Sequence, residues 1–503
     1  MIRKIVGPPG TGKTTTLLNY FEDLLKEGVS PDKIVFTSFT RTTTSEARER
    51  AFKKYEIRSS ALPYFRTLHS LCLSLIPGAE IMNNGHWKDI ARKTGYSFGM
   101  FRGNSEENPV SSKTGDLLRK LYELSRLREE SLAKTIENDY RELTSDRSVT
   151  LPQLQKFKTE VEKYKLEHEC MDFTDILEEW VKNGWVPPVT HIIVDEAQDF
   201  SKLQWRIIKK LTEKTEFTII AGDDDQALYE WNGASPDNFI DLEVDETIVL
   251  PISYRIPAQV HDLATAISAR IRHRIKKEFK PRKEQGEVIL FQNPMKLPLK
   301  IGNWMLLGRT KKHTTSCMSI CHTHGQPYTS DTPMYNVEGL RAIKDWVSMT
   351  KGESIPVEAA VNIYRFLPVK TRVKYGFKKQ LSQCEKDGVT LEDLVQDFGL
   401  LNSTIPWHEQ FDSISTIDLA YFRQMERANN LFKVPTIHVS TIHRAKGMEA
   451  QNVMVITDMG PMAHRNFEQH PDQEHRVWYV AFTRARERLW LYRPTTPQFY
   501  PIP

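Results

Sequence analysis

The chain has 503 residues, 39% apolar and 27% charged, with 69 Lys and Arg against 65 Asp and Glu. That length supports cores in about two to four domains, and no run approaches the roughly 18 apolar residues of a membrane span. A net charge of +4 identifies no nucleic-acid partner by itself, and five scattered cysteines exclude a disulfide scaffold.

The first strand, over 2–6, runs directly into Gly7-Pro8-Pro9-Gly10-Thr11-Gly12-Lys13-Thr14, a full Walker A sequence. Because residue 1 enters that strand, no room is left for a signal peptide, and the expected location is the cytoplasm. Leu17, Leu18, Phe21, Leu24 and Leu25 recur on one face, as the helix behind a P-loop requires. A strand over 33–38 and a helix over 44–55 complete a βαβα opening. From about 80 to 170 the chain turns polar, charged and helical, with helices expected over 117–130 and 154–165. Strands follow over 191–194, ending in Asp195-Glu196, and over 217–221, ending in Gly222-Asp223-Asp224-Asp225-Gln226. A second α/β region has expected strands over 304–307, 436–440, 452–457 and 489–492, interrupted by helices from about 345 to 430. The last dozen residues, with four prolines, read as a loose tail.

The spacing in the Walker A sequence lets the backbone curl its N–H groups around phosphates. Lys13 then reaches the β and γ oxygens and the Thr14 hydroxyl holds Mg²⁺. Asp195, at a strand end, is the natural second Mg²⁺ ligand, and Glu196 the group that polarises an attacking water. Gln226 is placed either to sense a γ-phosphate or to satisfy a loop. Arg255 and Arg484 read as candidate phosphate contacts or as ordinary salt-bridging arginines, with Arg484 on an expected helix. Between 272 and 283, seven of twelve residues are Lys or Arg, a phosphate track or a solvated helix face. Cys317 and Cys321, followed by His322 and His324, read as a metal site or as two core thiols.

These motifs resemble superfamily 1A DNA helicases of the UvrD, Rep and PcrA group over nearly the whole chain. The series runs from Gly7–Thr14 through Thr37-Ser38-Phe39-Thr40, Thr67-Leu68-His69-Ser70-Leu71, Asp172-Phe173-Thr174-Asp175-Ile176-Leu177 and Val194-Asp195-Glu196-Ala197-Gln198-Asp199. It continues through Gly222-Asp223-Asp224-Asp225-Gln226-Ala227-Leu228-Tyr229, Tyr254-Arg255, Thr441-Ile442-His443-Arg444-Ala445-Lys446-Gly447-Met448-Glu449 and Val480-Ala481-Phe482-Thr483-Arg484-Ala485.

The resemblance implies an α/β fold of two RecA-like P-loop motor domains, each interrupted by a mostly helical insertion. The first motor would take 1–80 plus 171–247 with its insertion at 81–170. The second would take 248–344 plus 431–503, with a short insertion at 345–430. ATP and Mg²⁺ are the implied cofactors, bound by Gly10, Gly12, Lys13, Thr14 and Thr15. Tyr254 would stack on the base, Glu449 would bind the ribose, and Gln226, Arg255 and Arg484 would contact the γ-phosphate. Phe39 and Trp231 become stacking surfaces for single-stranded DNA, though each also reads as a core residue. Thr67 and His69 would lie near the DNA backbone, and His443 would couple the two sites.

The implied activity is ATP-driven 3′–5′ translocation with unwinding, by a monomer acting on single strands and on junctions of single and double strands. A translocase that strips proteins without unwinding, or a non-cycling binder, is the alternative, and residues alone do not separate DNA from RNA. Three departures stand out. Only Met1 precedes the first strand where the family has a glutamine-containing adenine-reading segment, Arg41 stands where asparagine is usual and reads as an added DNA-phosphate contact or a surface cap, and the second insertion is short. The compact length suits a phage or plasmid helicase, whose location would be the host cytoplasm.

Overall fold

The computed structural model describes residues 1–39, 41–99, 113–143, 149–493 and 496–503. Two six-stranded sheets dominate it, and every strand pair in both is parallel.

The N-terminal strands are β1 (Ile2–Val6), β2 (Ile34–Ser38), β3 (Phe65–Thr67), β4 (Glu80–Ile81), β5 (Cys170–Met171), β6 (His191–Asp195), β7 (Phe217–Gly222) and β8 (Glu246–Val249). The first sheet has the order β3-β2-β6-β7-β1-β8, while β4 and β5 pair separately. Its residues alternate between two apolar layers. Ile5, Phe36, Ile193 and Ile219 join Leu17, Leu18 and Phe21 of the helix Lys13–Lys26, while Val6, Val35, Ile192 and Ile220 pack on the other face. Burial on both faces explains why these strands read as continuous apolar runs.

The second sheet uses β9 (Glu287–Phe291), β10 (Trp304–Gly308), β11 (Tyr328–Thr329), β12 (Ile437–Thr441), β13 (Ala450–Ile456) and β14 (Ala485–Tyr492), in the order β11-β12-β10-β13-β14-β9. It repeats the pattern, with Trp304, Leu306 and Val439 on one face and Met305, Leu307 and Val453 on the other.

Helices Thr114–Leu127 and Leu151–Glu167 lie between β4 and β5 in the chain, around a core that includes Leu117, Leu121, Leu154 and Phe157. The helices between β11 and β12 share a core with the second sheet, through residues such as Ile343, Trp346, Ile363 and Phe422.

Two expectations are overturned. Arg484 does not sit on a helix: Pro471–Phe482 ends before it, and Arg484 occupies the turn into β14. The C-terminal segment is not loose among its described residues. Tyr500 is fully buried, its ring stacks on Trp478 at 4.9 Å, and its hydroxyl lies 2.8 Å from His475 Nδ1. Thr496 donates two hydrogen bonds to Asp458 Oδ1, and Arg270 bonds the Pro501 carbonyl at 2.6 Å. Prolines suppressed the secondary-structure signal, but the aromatic between them carries the packing.

Cys317 and Cys321 are both buried on Lys311–His324, where burial raises their thiol pKa values. They are core thiols. Among the described residues no helix is long and apolar enough to cross a membrane.

Candidate functional site

The carboxyl ends of the first sheet gather the sequence-predicted groups, where parallel sheets leave a crevice. Gly10 and Gly12 adopt left-handed φ values of 73° and 82°, which lets the loop after β1 turn its backbone inward. Lys13 folds back over this loop, its Nζ 3.1 Å from the Gly7 carbonyl and 3.9 Å from the Glu196 carboxylate. The Thr14 hydroxyl donates to Asp195 Oδ2 at 2.8 Å, and exposed Thr15 accepts from Arg50 at 3.3 Å. Walker A and the acidic strand end are therefore one cluster.

Glu196 is itself left-handed, at φ 54°, which turns its side chain out of the β6 direction. Its carboxylate accepts from Gln198 Nε2 at 2.6 Å. Burial and the neighbouring Glu196 charge raise the Asp195 carboxyl. Burial acts the same way on Glu196, but Lys13 and Lys446 overcome it and hold that carboxyl below its ordinary range. Two adjacent carboxylates are thereby pushed apart, the pattern that divides labour between a metal ligand and a water-polarising group.

The second α/β region presses onto the loop. Ser253 Oγ donates to the Pro9 carbonyl at 2.8 Å, and the Tyr254 N–H donates to the Gly10 carbonyl at 2.8 Å. A Cβ on Gly10 would come within 2.3 Å of Arg255 Cβ, so only glycine fits. Tyr254, 70% exposed, stands beside this contact. Arg255 Nε meets Glu449 Oε2 at 2.6 Å, and Arg486 Nη1 meets Glu449 Oε1 at 2.8 Å. Arg255 thus faces the ribose candidate, not Gln226.

Arg484 is the reverse case. Fully buried, it donates from Nη2 to Gln226 Oε1 at 2.9 Å and from Nε to the Val480 carbonyl at 2.9 Å. Burial, reinforced by Arg255, lowers its pKa to about 9. An arginine pushed in that direction is short of negative charge, which a phosphate would supply.

Sequence reasoning missed three members of this cluster. Lys446 bonds the Asp199 carboxylate, donates to the Gln226 carbonyl at 2.8 Å and lies 3.8 Å from Glu196. Asp199 is buried, which raises its pKa to about 6. Gln198 links Glu196 to the Asp223 N–H. All three stand inside quoted motifs, where a lysine between Ala445 and Gly447 was the available signal.

The candidate DNA residues are dispersed. Phe39, half-buried just past β2, stacks on Tyr229 at 5.0 Å and packs against apolar groups of both sheets. Thr67 ends β3 and caps the next helix, accepting from the Ser70 N–H at 3.4 Å. His69 follows it, edge-on to Phe173, and burial lowers its pKa to about 4. Trp231 and His443 meet edge to face at 6.5 Å, one from each α/β region, with Lys120 Nζ 5.7 Å from the Trp231 ring. Burial, then Arg309 and Lys446, pushes the His443 imidazole pKa well below its ordinary value. The Arg41 side chain lies outside the described residues.

The basic run at 272–283 is neither a continuous phosphate track nor one solvated face. Lys277 is wholly buried against Asp223, Asp224 and Asp225, and Arg274 pairs with Asp225, while Arg272, Lys276, Lys280 and Lys283 are exposed.

The UvrD/REP helicase N-terminal domain matches residues 2–246, and the UvrD-like helicase C-terminal domain matches residues 436–492. The Bacillus subtilis protein YjcD, provisionally named an ATP-dependent DNA helicase, is 21% identical over 97% of this chain and 76% of its own. A Mycoplasma genitalium protein, provisionally named a DNA helicase II homolog, is 22% identical over 96% of this chain and 81% of its own. The ATP-dependent DNA helicase Rep of Buchnera aphidicola subsp. Baizongia pistaciae is 23% identical over 57% of this chain and 43% of its own. The two domain matches come from one family, follow each other in its order, together cover more than half the chain and include β1, β2, β3, β6 and β7 of the first sheet and β12, β13 and β14 of the second, so the chain belongs to the UvrD/Rep family of superfamily 1A DNA helicases.

Proposed function

We propose that the chain is an ATP-driven motor that moves 3′ to 5′ on single-stranded DNA and unwinds the duplex ahead of it. The observation that carries this reading is the Arg484–Gln226 hydrogen bond, which joins the second α/β region to the end of β7 in the first. A site assembled from two regions changes when they separate, and a phosphate between them supplies the force for that change. In this reading 1–80 with 171–247 and 248–344 with 431–503 are the two motors, with insertions at 81–170 and 345–430.

Lys13 and the Gly10–Gly12 backbone would hold the phosphates, Glu196 would orient water, and Gln226 with Arg484 would contact the γ-phosphate. Arg255 would join them once released from Glu449. Thr14 and Asp195 offer the hard oxygen donors that Mg²⁺ takes, and the ion when bound would neutralise charge on the leaving phosphates. Tyr254 would stack on the base, and Phe39 and Trp231 on DNA bases, which demands no sequence.

Strand displacement on duplexes carrying a 3′ or a 5′ single-stranded tail tests the reading. The wild type is expected to separate 3′-tailed duplexes with ATP and not without it, and Lys13→Ala to bind single strands but turn over no ATP. Displacement from 5′ tails overturns the polarity. DNA-stimulated hydrolysis with no displacement from either tail leaves a translocase that does not unwind.

A further inference from the structure

The end of β7 carries three consecutive carboxylates, and they face different partners. Lys277 Nζ lies 3.0 Å from Asp223, 2.6 Å from Asp224 and 2.9 Å from Asp225, with all four side chains wholly buried. Asp224 also accepts the Ile275 N–H at 2.8 Å, and Asp225 receives Arg274 at 2.8 and 2.5 Å. Those two carboxylates are directed at the second α/β region. Asp223 faces both ways, because Oδ1 meets Lys277 while Oδ2 accepts Gln226 Nε2 at 2.6 Å.

The other end of the Gln226 amide accepts from Arg484 Nη2 at 2.9 Å. A carboxylate only accepts and a guanidinium only donates, whereas an amide has one end of each kind. Asp223 and Arg484 together therefore admit a single orientation of Gln226. Turned over, the amide would set oxygen against carboxylate and NH₂ against guanidinium, leaving buried groups unpaired. Building on the reading of Gln226 as the γ-phosphate sensor, we propose that Asp223, anchored by Lys277, is a positioning residue that fixes the Gln226 amide and so sets discrimination between triphosphate and diphosphate.

Lys277→Met strips the cation from three buried carboxylates and is expected to cost the fold, so the decisive variants are isosteric. Asp223→Asn accepts either end of the Gln226 amide at position 223 and so leaves Arg484 alone to orient it. Asp224→Asn removes the same charge from the same cluster at a carboxylate directed at Lys277 and Ile275.

The readout is the ratio of ADP to ATPγS dissociation constants for the full chain, measured by calorimetry beside a thermal melt. Gln226→Ala is expected to lower this ratio by about tenfold, and Asp223→Asn by a comparable factor. The double variant should lose no more than about twofold beyond either single one, because Asp223 acts through Gln226. Asp224→Asn should lower Tm and leave the ratio within about twofold of wild type.

Equal ratios in the Asp223→Asn and Asp224→Asn variants, or losses that multiply in the double variant, would overturn the inference. The ratio needs neither hydrolysis nor DNA, so failure to unwind would sink the proposed function without touching this result. A wild-type protein that binds ADP and ATPγS equally overturns the sensor role and the inference with it.

Discussion

At the scale of single residues, the informative side chains are those whose surroundings oppose their charge. Arg484 is fully buried, and burial lowers its pKa, yet the groups it donates to are an amide and backbone or hydroxyl oxygens. A guanidinium so placed gains most from a charge that develops during reaction. Arg484→Ala is therefore expected to lower the maximal rate of DNA-stimulated ATP hydrolysis by about 100-fold while changing nucleotide affinity by about threefold or less. Steady-state kinetics beside equilibrium nucleotide binding separates the two, and a pure affinity defect would place the arginine elsewhere.

His69 offers a pH test with a definite sign. Burial lowers its pKa from 6.5 to about 4, so the folded chain binds that proton less tightly than the unfolded chain. Stability from this group is complete above pH 6.5 and is lost as pH falls towards 4, by about 3 kcal/mol at most. Wild-type Tm should thus fall more steeply between pH 6.5 and 4 than that of His69→Gln. Parallel Tm curves for the two proteins would show that the ring titrates normally.

At the scale of elements, parallel strands announce themselves because both faces are apolar, and β1, β2, β6, β7 and β10 were legible in the sequence to within a residue or two. Motif chemistry likewise predicts one cluster of Lys13, Thr14, Asp195 and Glu196, as the contacts among them show. What stayed hidden were partnerships across long stretches of chain, such as Lys446 with Asp199 or Lys277 with the three aspartates, because spacing along a sequence carries no information about them. A basic run looks the same whether its charges face solvent or, like Lys277, are buried.

The order of the C-terminal segment is hidden in the sequence for a related reason: the segment has no periodicity, and its packing rests on Tyr500. The segment packs against Pro471–Phe482, the helix that leads into Arg484. Tyr500→Ala is expected to cost about 3–5 kcal/mol of stability as a buried aromatic is lost, and Tyr500→Phe about 1 kcal/mol through the His475 hydrogen bond. Chemical denaturation of the three proteins measures both, and unchanged midpoints would mean that the segment does not dock in solution.

At the scale of the whole molecule, the two α/β regions meet through polar groups that converge on 223–231. Lys277 and Arg274 hold its first residues, Lys446 and Arg484 reach Gln226, and Arg476 meets Glu230 at 2.7 Å. Trp231 follows, edge to face with His443. If Gln226 shifts with the nucleotide, a segment gripped this densely would carry the shift to Trp231, since packed groups shift between discrete arrangements rather than deform. Trp231→Ala tests the track and the transmission together. If the indole stacks on a base, single-strand affinity should weaken by about 1–3 kcal/mol at fixed salt. The slope of affinity against salt should stay nearly constant, because no phosphate contact is removed. Basal hydrolysis should survive, since Lys13, Asp195, Glu196 and Arg484 remain, while stimulation by single strands and duplex unwinding should both fall. A purely structural tryptophan predicts the opposite pairing, with thermal stability and basal turnover reduced together by a cavity. Titrations at several salt concentrations, beside ATPase assays with and without single strands, distinguish the two outcomes, and unchanged affinity with unchanged stimulation would remove Trp231 from the DNA path.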